Sequence, residues 1–298
     1  MALETSNIVL PREVAVETVN KVKETSTIAK LSPSTPQLFT DKTSLVFNPS
    51  SEAEVVAEGA KKGAYEQSLT PVEGTRVKLV TTTRVSNELV WADQDAKTEI
   101  VQRIIEDQAE ALARAIDYVI YHAINPKTGE VLSGYKSLVE QSNIVTTQTE
   151  DTGSEFQDID TMSDALINYN INGIALSREF ASALRKIRVQ NTGQRLYPEI
   201  PLSLETGSLD GIPASTSNTV SGSLAKTATN VRAIMGDFST IKWGMVRDMQ
   251  SEIIEYGDPD NTGADLKGSN QVAYRTESMF AYALLDPKAF ATLKKASA

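Results

Sequence analysis

Few residues in this 298-residue chain have the types and spacing that catalysis needs. Cys is absent and His occurs once. Those two counts remove thiol nucleophiles, disulfides, iron–sulfur clusters and cysteine zinc sites. A histidine-paired catalytic site has only His122 to use, at the end of a helical stretch where the dipole favours a cation. Glu88, Asp93 and Asp95 offer paired carboxylates for general acid–base work. They also stand where helix starts favour acids, and Asp95 reads as an N-cap. Asp258, Asp260 and Thr262 fall at the first three ligand positions of a calcium loop, with Gly263 at its sharp turn. Ser269 then occupies the place of the bidentate Glu, and the flanks read as strands, so a polar turn is expected. Nucleophile elbows, phosphate-binding glycine loops, dinucleotide fingerprints and zinc-binding helix motifs do not occur. The reading is of a chain that is not an enzyme, with no catalytic residue, metal or cofactor.

Composition narrows the class further. Asp and Glu number 39 against 29 Lys and Arg, for a net charge of −10. A general nucleic-acid binder needs a basic face to displace counterions, so this balance argues against one. No run reaches the roughly 18 apolar residues of a membrane span. Met1 to Val14 lacks the basic and apolar regions of a signal peptide, so the expected location is the cytoplasm of the cell that makes the chain.

The elements that must position these residues alternate between helix and strand. Residues 1–40 read as an arm: a short helix from Pro11 to about Lys23, then a break at Ser32-Pro33-Ser34-Thr35-Pro36. The arm has too few large apolar groups for a core of its own. Asp41 to Pro49 and Thr75 to Val85 read as strands. Ser50 to Gly74, between them, carries no helical stripe. If the strands pair, the insert projects as a hairpin of roughly 40 Å, marginal alone in water and in need of a surface to lie on. Glu52, Glu54, Glu58, Lys61, Lys62 and Glu66 give it mixed charges suited to choosing a register on a neighbour. Glu54, Glu58, Lys61, Lys62, Tyr65 and Glu66 are the candidate subunit-interface residues.

After a helical turn from Ser86 to Ala92, Ala96 to about Ala123 is the clearest helix. Ile100, Ile104, Ile105, Leu112, Ile116, Val119 and Ile120 recur at helical spacing along a rod of about 42 Å. Residues 130–157 read as polar and irregular. A second unit follows: a helix capped by Asp160, a strand from Gly173 to Leu176, and a helix capped by Ser177. Leu209-Asp210-Gly211-Ile212-Pro213 reads as a turn between short strands, and Thr216 to Asn230 as a loop. Strands are expected at Val231 to Met235, Lys242 to Met249, Ile253 to Tyr256 and Val272 to Leu285. Asp286-Pro287 signals a last helix, Lys288 to Lys295.

Several segments in this order resemble the major capsid protein of tailed bacteriophages, the Hong Kong ninety-seven fold. They are Ala57-Glu58-Gly59, Val85-Ser86-Asn87-Glu88-Leu89 with Asp93, and Ile174-Ala175-Leu176-Ser177. Gly193-Gln194-Arg195-Leu196-Tyr197, Leu209-Asp210-Gly211-Ile212-Pro213 and Gly236-Asp237-Phe238-Ser239 follow. Val272-Ala273-Tyr274-Arg275 and Pro287-Lys288-Ala289-Phe290 complete the series. The resemblance implies an α+β fold with an N-terminal arm (1–40), an extended β-hairpin loop (41–80), a peripheral domain with a long spine helix (81–157 and 238–298), and an axial domain (158–237). It implies self-assembly through pentamers and hexamers into an icosahedral shell around double-stranded DNA, without sequence-specific binding. A portal and a scaffolding protein are the implied partners, with assembly in the host cytoplasm and residence in the virion.

Two features of the family do not carry over directly. Because the sequence opens in the arm, a separate scaffolding protein or none is expected. Lys61 or Lys62 and Asn270 are conceivable cross-link partners, but no motif matches. A nanocompartment shell enclosing an enzyme cargo, a soluble enzyme using Glu88, Asp93 and Asp95, and a tail-tube or surface-layer protein stay open at this point.

Overall fold

The computed structural model describes residues 26–35, 43–48, 53–63, 68–96, 100–147 and 154–296. The expected helix from Pro11 to Lys23 lies outside them. In chain order the elements begin with α1 (Thr27–Leu31), β1 (Thr43–Asn48), β2 (Ser68–Glu73), β3 (Thr75–Ser86), α2 (Asn87–Ala96) and α3 (Ile100–His122). They continue with α4 (Leu138–Gln141), β4 (Asn143–Thr146), α5 (Glu155–Asp164), β5 (Gly173–Leu176) and α6 (Arg178–Lys186). The chain ends with β6 (Ser208–Leu209), β7 (Ile212–Thr216), β8 (Val231–Gly236), β9 (Ile241–Ile254), β10 (Gln271–Leu284) and β11 (Phe290–Lys294). This is an α+β architecture.

Three sheets organise these strands, in the orders β1-β2, β3-β10-β9 and β4-β11-β8-β5-β7-β6. The six-stranded sheet is buried on both faces, which explains why β5 reads Gly-Ile-Ala-Leu with no polar residue. Alternate residues serve opposite cores. Ala175, Val231 and Ile234 face a core with the C-terminal half of α3, Phe238, Phe280 and Phe290. Ile174, Leu176, Ala233 and Met235 face a second core with Ile159 and Met162 of α5 and Phe180 and Leu184 of α6. Ser177 caps α6 as expected, its Oγ accepting from the Phe180 amide at 3.2 Å. The Asp210-Gly211 turn joins β6 to β7 as expected, with both residues at positive φ.

The three-stranded sheet carries α3 on one side. Gln108 fastens helix to sheet: its Nε2 donates to Thr83 Oγ1 at 2.7 Å and to the Tyr274 carbonyl at 3.0 Å, and its Oε1 accepts from Thr276 Oγ1 at 2.8 Å. All three polar positions of this buried amide that face the sheet are therefore satisfied. The first turns of α3 are only partly covered, and Ile104 packs beside Val85, Leu89 and Tyr274 without being buried. Ile104→Ala is therefore expected to cost about 1 kcal/mol in chemical denaturation, below the range of roughly 2–5 kcal/mol for a fully buried site.

Several expectations are corrected. Strand β3 does not close the hairpin with β1: β2 does, with Thr43 opposite Glu73 and Asn48 opposite Ser68. β3 instead pairs with β10 through all twelve of its residues. The short helix before the long one runs on to Ala96, so Asp95 lies within α2, and α3 is described from Ile100. Residues 130–157 are not irregular throughout, since α4 and β4 occur there. α5 starts ahead of Asp160, and residues 165–168 form turns. The two strands expected between Lys242 and Tyr256 are one strand, β9. After Asp286-Pro287 only a short 3-10 turn forms, and Phe290–Lys294 is a strand. The sheet explains this last result: β11 fills the slot between β4 and β8, where Phe290, Ala291 and Leu293 are wholly or almost wholly buried.

Candidate assembly surfaces

The residues proposed for an interface lie on the connection between β1 and β2. Residues 53–63 run without regular structure, and ten of these eleven are exposed, Val56 alone being partly covered. Val55 is fully exposed, an unusual place for a valine whose own subunit offers it no cover. The loop is held locally. Glu54 Oε2 accepts from the Gly63 amide at 2.9 Å, and the Ala60 amide donates to Ala57 O at 3.1 Å across the turn at Gly59, whose φ is +80°. Glu58, Lys61 and Lys62 stand exposed along it. Tyr65 and Glu66 lie outside the described residues.

The acidic group near the start of α3 is occupied with structure. Asp93 caps the helix: Oδ1 accepts from the Ile100 amide at 2.8 Å and Oδ2 from the Val101 amide at 3.4 Å. Glu88 Oε1 accepts from the side-chain Nδ2 of Asn270. The same Asn270, at φ +52°, accepts from Asn87 Nδ2 at 2.7 Å, so its side chain is used to join the end of β10 to α2. The side chain of Asp95 lies outside the description. Asp93 therefore caps and Glu88 tethers.

The calcium-like loop already contains a cation. Arg84, almost fully buried, reaches from β3 and pairs with both Asp258 and Asp260, and its Nη1 donates to Ala264 O at 2.9 Å. Asp258 turns the loop as an Asx motif, accepting from the Thr262 amide at 3.0 Å and the Gly263 amide at 2.6 Å. Partial burial opposes its ionisation, but those amides, the Thr262 hydroxyl and the Arg84 charge outweigh it and hold its carboxyl below the ordinary range. Arg84→Ala is expected to loosen residues 257–270. Hydrogen exchange at the Leu266 amide, bonded to Gly257 O, should rise roughly tenfold while the β5–β8 amides hold.

On α3, Asp117 escaped the sequence reading, and so did the burial of His122. Asp117 is fully buried among Ile116, Val119 and Ile120, and accepts from five donors. Oδ1 takes Ser26 Oγ at 2.5 Å and the Ile28 amide at 3.2 Å. Oδ2 takes the Thr27 amide at 2.7 Å, Thr27 Oγ1 at 3.0 Å and Thr219 Oγ1 at 2.7 Å. Burial pushes its carboxyl pKa up, while the bonds from Ser26, Thr219, Thr27 and Ile28 act the other way. The available signal was an acid placed inside the apolar stripe of a helix. His122 was expected to be a charged helix-end residue. It is instead buried, with Nε2 facing the carbonyls of Thr219 at 3.2 Å and Val220 at 3.0 Å, so that nitrogen carries the proton. Burial, joined by the charge of Lys294, lowers its pKa to about 4 against the two carbonyl bonds, and the ring is neutral at pH 7.

The arm is likewise more internal at its root than composition suggested. Ile28 is completely buried in the first core, Ser32 Oγ donates to Ile241 O at 3.0 Å, and Trp243 Nε1 donates to Ser32 O at 3.2 Å. Among the described residues no group of three or more His, Asp or Glu is placed to hold a metal. No described helix is long and apolar enough to cross a membrane.

This architecture has close counterparts among solved structures. One from Mycobacterium phage Ogopogo is 32% identical, with 99% of this chain and 100% of that one covered and a TM-score of 0.85. One from Gordonia phage Cozz is 28% identical, covering 99% and 94%, at a TM-score of 0.80. The capsid of an empty GTA particle shares the fold at 15% identity, covering 97% and 96%, at a TM-score of 0.66. No curated protein matches the chain. A spine helix on a long antiparallel sheet, a doubly covered mixed sheet and a projecting hairpin together define a virion shell subunit of the Hong Kong ninety-seven fold. The chain belongs to the phage capsid family, whose sequence profile matches residues 6–295, and it is a major capsid structural protein. The nanocompartment, enzyme and tube readings are not favoured.

Proposed function

We propose that copies of this chain meet as rings of five and six, and that these rings close an icosahedral shell around double-stranded DNA. The observation that carries the reading is the 53–63 connection: a fully exposed valine among mixed charges, projecting from a two-stranded ribbon too thin to stand alone. Such a loop gains stability when it lies on the next copy. A loop that covers its neighbour makes a head-to-tail contact, which closes into rings. In this reading residues 41–80 act as the extended loop and 1–40 as the arm. Residues 81–157 with 238–298 form the peripheral domain, and 158–237 form the axial domain at the ring centre. β4 and β11 extend the axial sheet from the peripheral segments, which ties the two domains together. Glu54, Glu58, Lys61, Lys62, Tyr65 and Glu66 contact the adjacent copy.

A net charge of −10 suits a shell that contains DNA without gripping its phosphates. A scaffolding protein and a portal are its partners in this reading, and assembly takes place in the host cytoplasm. The protein performs no catalysis and takes no cofactor. Size-exclusion chromatography with negative-stain imaging of the purified chain tests the proposal. Rings or closed spherical shells are expected, and a stable 32.4 kDa monomer across salt and concentration overturns it.

A further inference from the structure

We propose that Asp117 is a latch which holds the root of the N-terminal arm against the spine helix and couples that root to the loop between β7 and β8. The device depends on the geometry of the folded subunit and not on the ring arrangement. α1 is a helix of five residues, too short to be stable by itself. Its first amides are satisfied from outside: those of Thr27 and Ile28 point at the Asp117 carboxylate, and that of Ala29 at Ser26 Oγ. Tyr121, one turn further along α3, adds a contact of 2.9 Å between its hydroxyl and Thr27 Oγ1.

The same carboxylate oxygen that receives Thr27 also receives Thr219 Oγ1. The 217–223 segment is held by α3 at further points, His122 Nε2 on the Thr219 and Val220 carbonyls and Tyr118 Oη against Ser223 Oγ at 2.9 Å. Three stretches distant in sequence thus meet on one buried charge. Undocking the root strands that charge with too few donors, so docked and undocked are discrete alternatives and not a continuum. Because Thr219 and the root share the acceptor, loosening one weakens the hold on the other. The latch places the point at which the arm enters the body, between α3 and the Ile241–Trp243 edge of β9.

Amide hydrogen exchange on the full-length chain tests this. Thr219→Val removes one donor from Asp117 while keeping side-chain size. It is expected to speed exchange at the Thr27 and Ile28 amides by roughly three- to tenfold, and Asp117→Asn by roughly tenfold or more, with β3–β10 amides unchanged in both. Reciprocally, Ser26→Ala should speed exchange at the Gly222 amide, which is bonded to Thr219 O. Root amides that keep their parental rate in Thr219→Val overturn the latch. So does acceleration that only follows a uniform loss of protection throughout the chain. If Asp117→Asn does not fold, Thr219→Val and Ser26→Ala decide the matter alone.

Discussion

Excising residues 53–63 and bridging the gap with a short Gly-Ser turn should leave a subunit that folds, melts within a few degrees of the parent, and forms no closed shells. The reason is the separation of labour within the chain. No residue of this stretch enters any of the three hydrophobic clusters, and the exposure of Val55 means that its removal uncovers nothing. Hydrophobic stabilisation follows the area taken from water, so the monomer loses little. The assembled state loses the segment that would cover the next copy. A wider cut through Glu73 would remove β2 and leave β1 unpaired, which confuses folding with assembly. Thermal melting, chromatography and imaging on one preparation separate the two effects. Unfolding of the monomer on the narrow excision would show the segment to be internal, and normal shells would show it to be dispensable.

Acidification should destabilise the subunit through His122, by roughly 2–3 kcal/mol between pH 7 and pH 4.5. The ring is buried and neutral, with its pKa lowered to about 4 from the ordinary 6.5. In the unfolded chain it gains a proton as pH falls through 6.5, whereas the folded ring resists until about 4. Over that window the unfolded state binds more protons, so stability falls with falling pH. The contribution is fully present above 6.5 and is spent below about 4. Asp117 has the opposite sign: its raised pKa makes the ionised folded form less favourable as pH rises, so acid relieves it. Comparing the parent with His122→Gln isolates the histidine, because Gln keeps a donor for the Val220 carbonyl without titrating. The stability difference between the two should shift against the parent as pH falls, measured by denaturant melts at each pH. Parallel curves would show that the ring is already accessible to protons.

Local features were legible in the residue order because their physics is local. Ser177 before Arg178–Lys186 is a cap wherever the helix packs, and Asp210-Gly211 supplies the positive φ that a tight turn needs. Gly173–Leu176 reads as a strand because a short unbroken apolar run suits a sheet covered on both faces. The order of such pieces along the chain was enough to identify the family and its α+β class. Reading β11 as a helix failed for a complementary reason. Asp286-Pro287 is a genuine start signal, and Asp286 does cap the turn, its Oδ1 accepting from the Lys288 amide at 3.0 Å. The choice at Phe290 then passed to the sheet, where pairing on both sides outweighs a weak helical preference.

Composition and local pattern by themselves determined that this chain carries no thiol chemistry, that it alternates helix and strand, and that its 50–74 stretch, rich in Glu, Lys, Ala and Gly, carries no helical stripe. Only the tertiary structure decided which strand closes the hairpin, that Arg84 pairs with both Asp258 and Asp260, and that Asp117 binds Ser26, Thr27, Ile28 and Thr219. The partners of Asp117 and the acidic partners of Arg84 lie 89 or more residues away along the chain. A charge can be left dry only where distant segments converge to satisfy it, and no window of neighbouring residues records that convergence.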